Sequence, residues 1–155
     1  MSHSGFTYDH PRPAVTTDIA LVRHGARGWE ILLVKRSHDP FRDRWALPGG
    51  FVDELESLEA AAARELKEEC GIEGVELWQF RAFGNPGRDP RGHTISVGYL
   101  GVAREPIEPR PGDDAGEARW FPIDSLPELA FDHDEIVNAA LERLHRIEIS
   151  ENDAP

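Results

Sequence analysis

The segment Ser57–Gly71 (SLEAAAARELKEECG) limits this chain more than any other, because it has one local solution and an awkward charge pattern within it. Ser57 is a good helix N-cap and Gly71 a good residue just past a helix end, so the spacing predicts a helix running to about Cys70. At about 100° per residue from Leu58, Ala62 falls near ~40° and Leu66 near ~80°, an apolar arc that must face a core. Glu65 falls near ~340° and Glu69 near ~20° on the same wheel, inside or at the edge of that arc, with Glu68 beside them near ~280°. Like charges at i,i+4 repel, and partial burial raises that cost or forces protonation. A hard cation with oxygen ligands removes the conflict. Arg64, on the outer side of the cluster, can orient or compensate Glu68. The competing reading is a solvated charged helix whose acids pair with Arg64 and Lys67.

Upstream lies Pro48-Gly49-Gly50, a turn whose glycines permit close approach of a ligand and whose carbonyls could complete a metal's oxygen shell. A Gly-Gly pair alone equally describes a tight strand-to-loop turn. Written together, the two features read Gly50-x5-Glu56-x7-Arg64-Glu65-Leu66-x-Glu68-Glu69-x-Gly71-Ile72. This resembles the Nudix hydrolase signature at every defined position. The resemblance implies an α/β/α sandwich with a mixed central sheet, a loop–helix–loop metal site, and hydrolysis of a nucleoside diphosphate linked to another moiety. By that resemblance Glu65, Glu68 and Glu69 bind Mg²⁺ or Mn²⁺ directly or through water, the Gly49 carbonyl adds a ligand, and Glu56 and Arg64 hold the geometry. Divalent ions neutralise a diphosphate and lower the pKa of bound water, and a carboxylate must then take the water's proton. Glu65 is one candidate for that base; Asp113, Asp114 and Glu117, on an expected loop over 105–117, are the others.

The rest of the chain fits one α/β domain. Strands are expected at Ala14–His24 and Trp29–Lys35, forming a hairpin with a four-residue loop, then at Val75–Phe83, His93–Ala103 and Ala118–Pro122. A last helix starts at Asp132 or Asp134, with Ile136, Ala140, Leu144 and Ile147 on one face. Residues 1–13 read as a polar arm, 14–149 as the domain and 150–155 as a frayed tail. No apolar run reaches the ~18 residues that a membrane span needs, and the N-terminus lacks the pattern of a secretory signal. With 17 Lys+Arg against 29 Asp+Glu, the net charge of -12 argues against long nucleic acid as a partner. The single cysteine, Cys70, excludes an intrachain disulfide and fits a reducing, cytoplasmic location; it reads as a packed thiol.

A narrower resemblance covers almost the whole chain. Pro11-Arg12-Pro13-Ala14-Val15-Thr16, Trp45 through Val52, Arg88-Asp89-Pro90-Arg91-Gly92-His93 and Phe131-Asp132-His133 are similar to a bacterial and archaeal group of ADP-ribose pyrophosphatases. It implies ADP-ribose as substrate and AMP and ribose 5-phosphate as products. Other nucleotide substrates, or a non-catalytic ADP-ribose sensor, are the alternatives. Arg36, Asp89 and Arg91 are the expected substrate contacts, although Arg91 could equally pin its loop to nearby acids. Arg23 could also face a phosphate, and Tyr8 or Phe83 could stack on adenine. His93 is expected to pack at a strand start, and the other histidines, His133 included, to be surface or capping groups. The resemblance also touches transcription regulators that carry a winged-helix segment after such a domain; with the chain ending soon after Leu144, none is expected here. Family members often dimerise, so a homodimer is compatible with the resemblance.

Overall fold

The computed structural model describes residues 5–152. The elements follow in the order β1 (Ala14–Gly25), β2 (Gly28–Arg36), β3 (Trp45–Ala46), β4 (Gly49–Phe51), α1 (Leu58–Cys70), β5 (Leu77–Phe83), β6 (Thr94–Ala103), β7 (Ala115–Pro122) and α2 (His133–Asn152). One mixed sheet runs β3-β2-β1-β6-β5, with β4 added on β1 and β7 on β2. β1 lies parallel to β6 from the Ala14–Thr94 pair to the Arg23–Ala103 pair, and is antiparallel to β2 and β4.

Alternation along β1 divides the core. Ile19 and Leu21 face one side, where Ala62, Leu66 and Cys70 of α1 meet them; Ala20 and Val22 face the other, where Ile136, Val137, Ala140 and Leu144 of α2 close the layer. This is the expected sandwich, a mixed sheet held between two helices.

β1 and β2 pair only between Val22–Gly25 and Gly28–Ile31, and then part. The short segment 45–51 joins both diverging strands: Trp45 and Ala46 pair with Lys35 and Val34 of β2, whereas Gly49, Gly50 and Phe51 pair with Asp18, Thr17 and Thr16 of β1. A cleft opens at this fork.

α1 has the predicted bounds. Ser57 Oγ accepts the Ala60 N–H at 3.1 Å, and Gly71, in the left-handed conformation at φ 66°, donates its N–H to Lys67 O. Three expectations are corrected. The hairpin turn is Ala26-Arg27 alone, because Gly25 and Gly28 already pair. β7 begins at Ala115 rather than Ala118; Glu117 pairs with Lys35 and Ala115 with Arg36, leaving Gly116 as the bulged residue between them, so Glu117 sits on a strand and not on the loop. α2 runs to Asn152, so residues 150–152, expected to fray, are helical. Residues 1–4 and 153–155, from the expected arm and tail, lie outside the described residues. No helix among the described residues is long and apolar enough to cross a membrane.

Candidate active site

The cleft at the fork measures about 460 Å³. It is lined by Asp18 of β1, Gly49 and Gly50 of β4, and Glu65 and Glu69 of α1, and also by Arg36, Arg88, Arg91, Phe51 and Phe131. The acidic part of this lining is built by close approach. A Cβ on Gly49 would collide with Thr17 O, and one on Gly50 would lie 2.5 Å from Glu65 Oε1. Glycine is therefore required for the turn to lie flat against both β1 and the α1 carboxylates.

Glu65 and Glu69 point inward as the wheel predicts, and Glu65 is buried. Glu69 Oε2 accepts the Gly49 N–H at 3.2 Å. Burial, with Glu65 and Asp18 close by, pushes the Glu69 carboxyl up to about 8. Burial also raises the Glu65 pKa, against the opposing pull of Arg64. Arg64 is the hub on the outer side. Its guanidinium makes a paired contact with Glu56 at 2.7 and 2.9 Å, and reaches Glu65 at 2.8 Å, Glu68 at 3.2 Å and the Phe51 carbonyl at 3.0 Å. That pairing holds Glu56 down at about 2.

Glu68 is exposed and turned toward Arg64 rather than into the cleft. Among the described residues, no group of three or more His, Cys, Asp and Glu side chains stands at metal-ligand spacing. The donor set nevertheless suits a hard divalent ion. It consists of carboxylate and backbone oxygens, and the half-buried Glu69 beside Glu65 must either keep a proton or be compensated by a cation.

Among the basic lining residues, Arg36 lies 4.8 Å from the Phe131 ring centroid, and Arg91 lies 5.0 Å from that of Phe51 and 5.6 Å from that of Phe131. Arg36 makes no ion pair among the described residues; its Nε donates to Pro40 O, and burial together with Arg91 lowers its pKa. Asp89 is buried and accepts both the Arg91 N–H and its guanidinium. It orients Arg91, which pins its loop through Asp89 and also lines the cleft.

Of the loop acids, Asp114 lines the cleft and is highly exposed, Asp113 is exposed without lining it, and Glu117 lies outside it. Arg119 and Lys35 hold Glu117 and lower its pKa, which makes it a poor proton acceptor. Arg23 belongs to a separate surface groove with Trp120, paired to Glu30 and Glu108. Phe83 is buried in the α2-side core and unavailable for stacking, while Tyr8 stacks with Phe6 and Arg12 on the exposed N-terminal segment. His93, expected to pack, is exposed, with Nε2 3.4 Å from Gly84 O. Cys70 is fully buried, and burial pushes its thiol up to about 12, the state of a packed thiol.

Two residues of the cleft escaped sequence reasoning. Asp18, a buried acid in the β-branched run of β1, accepts from Ser96 Oγ. His133, read as a surface or capping group, is buried; it accepts the Leu47 N–H on Nδ1 at 3.0 Å and places Nε2 3.5 Å from Asp18 Oδ1. An acid inside an otherwise apolar strand was the available signal for Asp18. The Phe131-Asp132-His133 run marked the position without giving His133 a role, because its partners are remote in the chain.

Comparison with known proteins agrees with this geometry. The NUDIX domain family model matches residues 12–140. The ADP-ribose pyrophosphatase of Methanocaldococcus jannaschii is 43% identical over 125 residues, 81% of this chain and 71% of that protein. The ADPR responsive transcriptional repressor NtrR of Acinetobacter baylyi is 35% identical over 141 residues, 88% of this chain but only 56% of the repressor. Among solved structures, the NUDIX domain of Shewanella oneidensis NrtR complexed with ADP ribose superposes with a TM-score of 0.81 at 33% identity, covering 88% of this chain and 94% of that one. A helix that buries carboxylates against a double-glycine turn, in a fold and a sequence matched from end to end of the domain, places the chain in the Nudix family as a Nudix pyrophosphohydrolase.

Proposed function

We propose that the chain hydrolyses ADP-ribose to AMP and ribose 5-phosphate. The observation that carries this reading is one cleft lined both by buried or half-buried acids (Asp18, Glu65, Glu69) and by arginines and aromatic rings (Arg36, Arg91, Phe51, Phe131). The first suits cations and the second suits phosphate oxygens and flat rings, so a diphosphate with a sugar or base at either end fits between them. The ADP-ribose pyrophosphatase at 43% identity supports the same substrate.

Nudix hydrolases use divalent ions; Glu65, Glu69 and the Gly49 carbonyl would hold Mg²⁺ or Mn²⁺, joined by Glu68 once its side chain turns from Arg64 toward the cleft, and the ion would supply charge neutralisation and a more acidic bound water. Arg64 and Glu56 fix the helix side chains around that centre. Arg36 and Arg91 bind the diphosphate oxygens, and Asp89 keeps the Arg91 fork oriented. Asp114 is the base this reading favours, since it lines the cleft and carries no strong cation partner. The water oxygen bonds to one phosphorus, the bridging P–O bond breaks, and the water's proton passes to the Asp114 carboxylate. A cytoplasmic location accords with the lone, buried thiol.

The experiment is incubation with ADP-ribose and Mg²⁺ or Mn²⁺, with AMP and ribose 5-phosphate read by chromatography. A panel of nucleoside triphosphates, sugar nucleotides and dinucleoside polyphosphates is ranked beside it by kcat/KM. ADP-ribose is expected to lead that ranking. The similarity to NtrR favours one second reading, a sensor that binds ADP-ribose without cleaving it. Saturable binding with no AMP release at any metal concentration would establish the sensor instead.

A further inference from the structure

Three consecutive side chains at the start of α2 each reach a different part of the cleft. Phe131, held at φ 51°, lies beneath Arg36 and Arg91. Asp132 grips Arg88 with two hydrogen bonds of 2.9 and 2.6 Å, and the Arg88 side chain is only 5% exposed. His133 accepts the Leu47 N–H on Nδ1, so the neutral ring carries its proton on Nε2, facing Asp18. The backbone reinforces these ties: Ala130 donates its N–H to Trp45 O at 2.8 Å, and Leu129 bridges to Trp45.

The ties matter because of what they hold. Pro48 has no N–H, so Leu47 and Gly49 supply the donors around the metal-side turn. Gly49 donates to Glu69 on one face of the sheet, and Leu47 donates to His133 on the other. Without His133 the buried Leu47 N–H loses its partner, a cost that the turn relieves by shifting. Asp132 acts elsewhere. Arg88 precedes Asp89 and Arg91 on the loop between β5 and β6, so the grip on Arg88 fixes where Arg91 presents its guanidinium.

We propose that Phe131-Asp132-His133 is a positioning triplet that sets the two halves of the site separately: His133 fixes the Gly49-Gly50 turn and hence metal affinity, Asp132 fixes the Arg91 loop and hence substrate affinity, and Phe131 packs between them. The assignment of the halves rests on the reading of the cleft as an ADP-ribose site.

The test compares H133N, H133Q and D132N in the full chain. In H133N the amide oxygen replaces Nδ1 as acceptor for Leu47; in H133Q the amide reaches only toward Asp18. Mn²⁺ affinity is read by electron paramagnetic resonance without substrate, and KM for ADP-ribose at saturating Mn²⁺. H133Q is expected to weaken Mn²⁺ about 10-fold with KM unchanged, and H133N to restore most of that loss. D132N is expected to raise KM about 10-fold with Mn²⁺ affinity intact. Equal Mn²⁺ affinities in H133N and H133Q overturn the role of His133, and one common pattern for both positions overturns the separation. If the wild type binds Mn²⁺ but releases no AMP, the hydrolase reading fails alone; the ADP-ribose dissociation constant then replaces KM and the triplet is still decided.

Discussion

Helices α1 and α2 cover opposite faces of one sheet with buried stripes of similar pattern, but the stripes differ in chemistry. α2 buries Ile136, Val137, Ala140 and Leu144 over twenty residues, with His133 as its buried polar group. α1, thirteen residues long, places Glu65 among Ala61, Ala62, Leu66 and Cys70 and half-buries Glu69 one turn later. Burying a carboxylate opposes folding, whereas burying aliphatic carbon drives it. The α2 face therefore stabilises the fold, and the α1 face holds acids that need either a proton or a cation.

Four measurements press on that contrast, taken from the largest effect to the smallest. Glu69→Gln should lower turnover about 10³-fold, the scale of losing a key electrostatic group, while the metal-free protein melts no earlier than the wild type. Near-normal AMP release would dissolve the distinction between the faces. Ile136→Ala should lower unfolding free energy by about 2–5 kcal/mol in urea titrations, with kcat of the folded fraction nearly unchanged. A turnover defect as large as that of Glu69→Gln would show that the α2 face is catalytic too.

The third concerns pH. The folded Glu69 carboxyl titrates near 8 rather than its ordinary 4.5, so between those values the folded chain holds a proton that the unfolded chain has released. Stability of the metal-free protein should therefore be greatest below about pH 4.5 for this group and fall as pH rises toward 8. Thermal melts across that range should show the decline. Glu69→Gln should flatten it and Mg²⁺ should offset it; an unchanged slope in the variant would assign the effect to another acid. Last, Ser57→Ala should cost about 1 kcal/mol by removing the α1 cap. A loss well above that would mean the cap also holds the Gly50–Glu56 loop.

Much of α1 was legible because its signals are local. Cap, wheel and terminal glycine lie within one short segment, and a period of 3.6 residues fixes which acids turn inward. The same wheel placed Arg64 beside Glu68, and the two pair at 3.2 Å, but it could not tell that this contact would leave Glu68 out of the cleft. The start of β7 at Ala115, reached across the bulge at Gly116, was hidden by the Pro-rich run before it. Asp18 and His133 were missed for a deeper reason. Their meeting depends on the parallel pairing of β1 with β6, which places Ser96 against Asp18, and on the docking of 129–133 against Trp45. Contacts of that kind carry no periodic trace in the chain.

The short run 45–51 is stitched to both strands of the fork, so a large movement of the cleft floor would unpair the sheet on two sides, and only small shifts of the turn are open to it. Adaptation to a bulkier or smaller leaving group is then easier at the rim, in the stretches 84–93 and 104–114. Substrate preference in this architecture can be rewritten at its edges with little displacement of the hydrolytic centre.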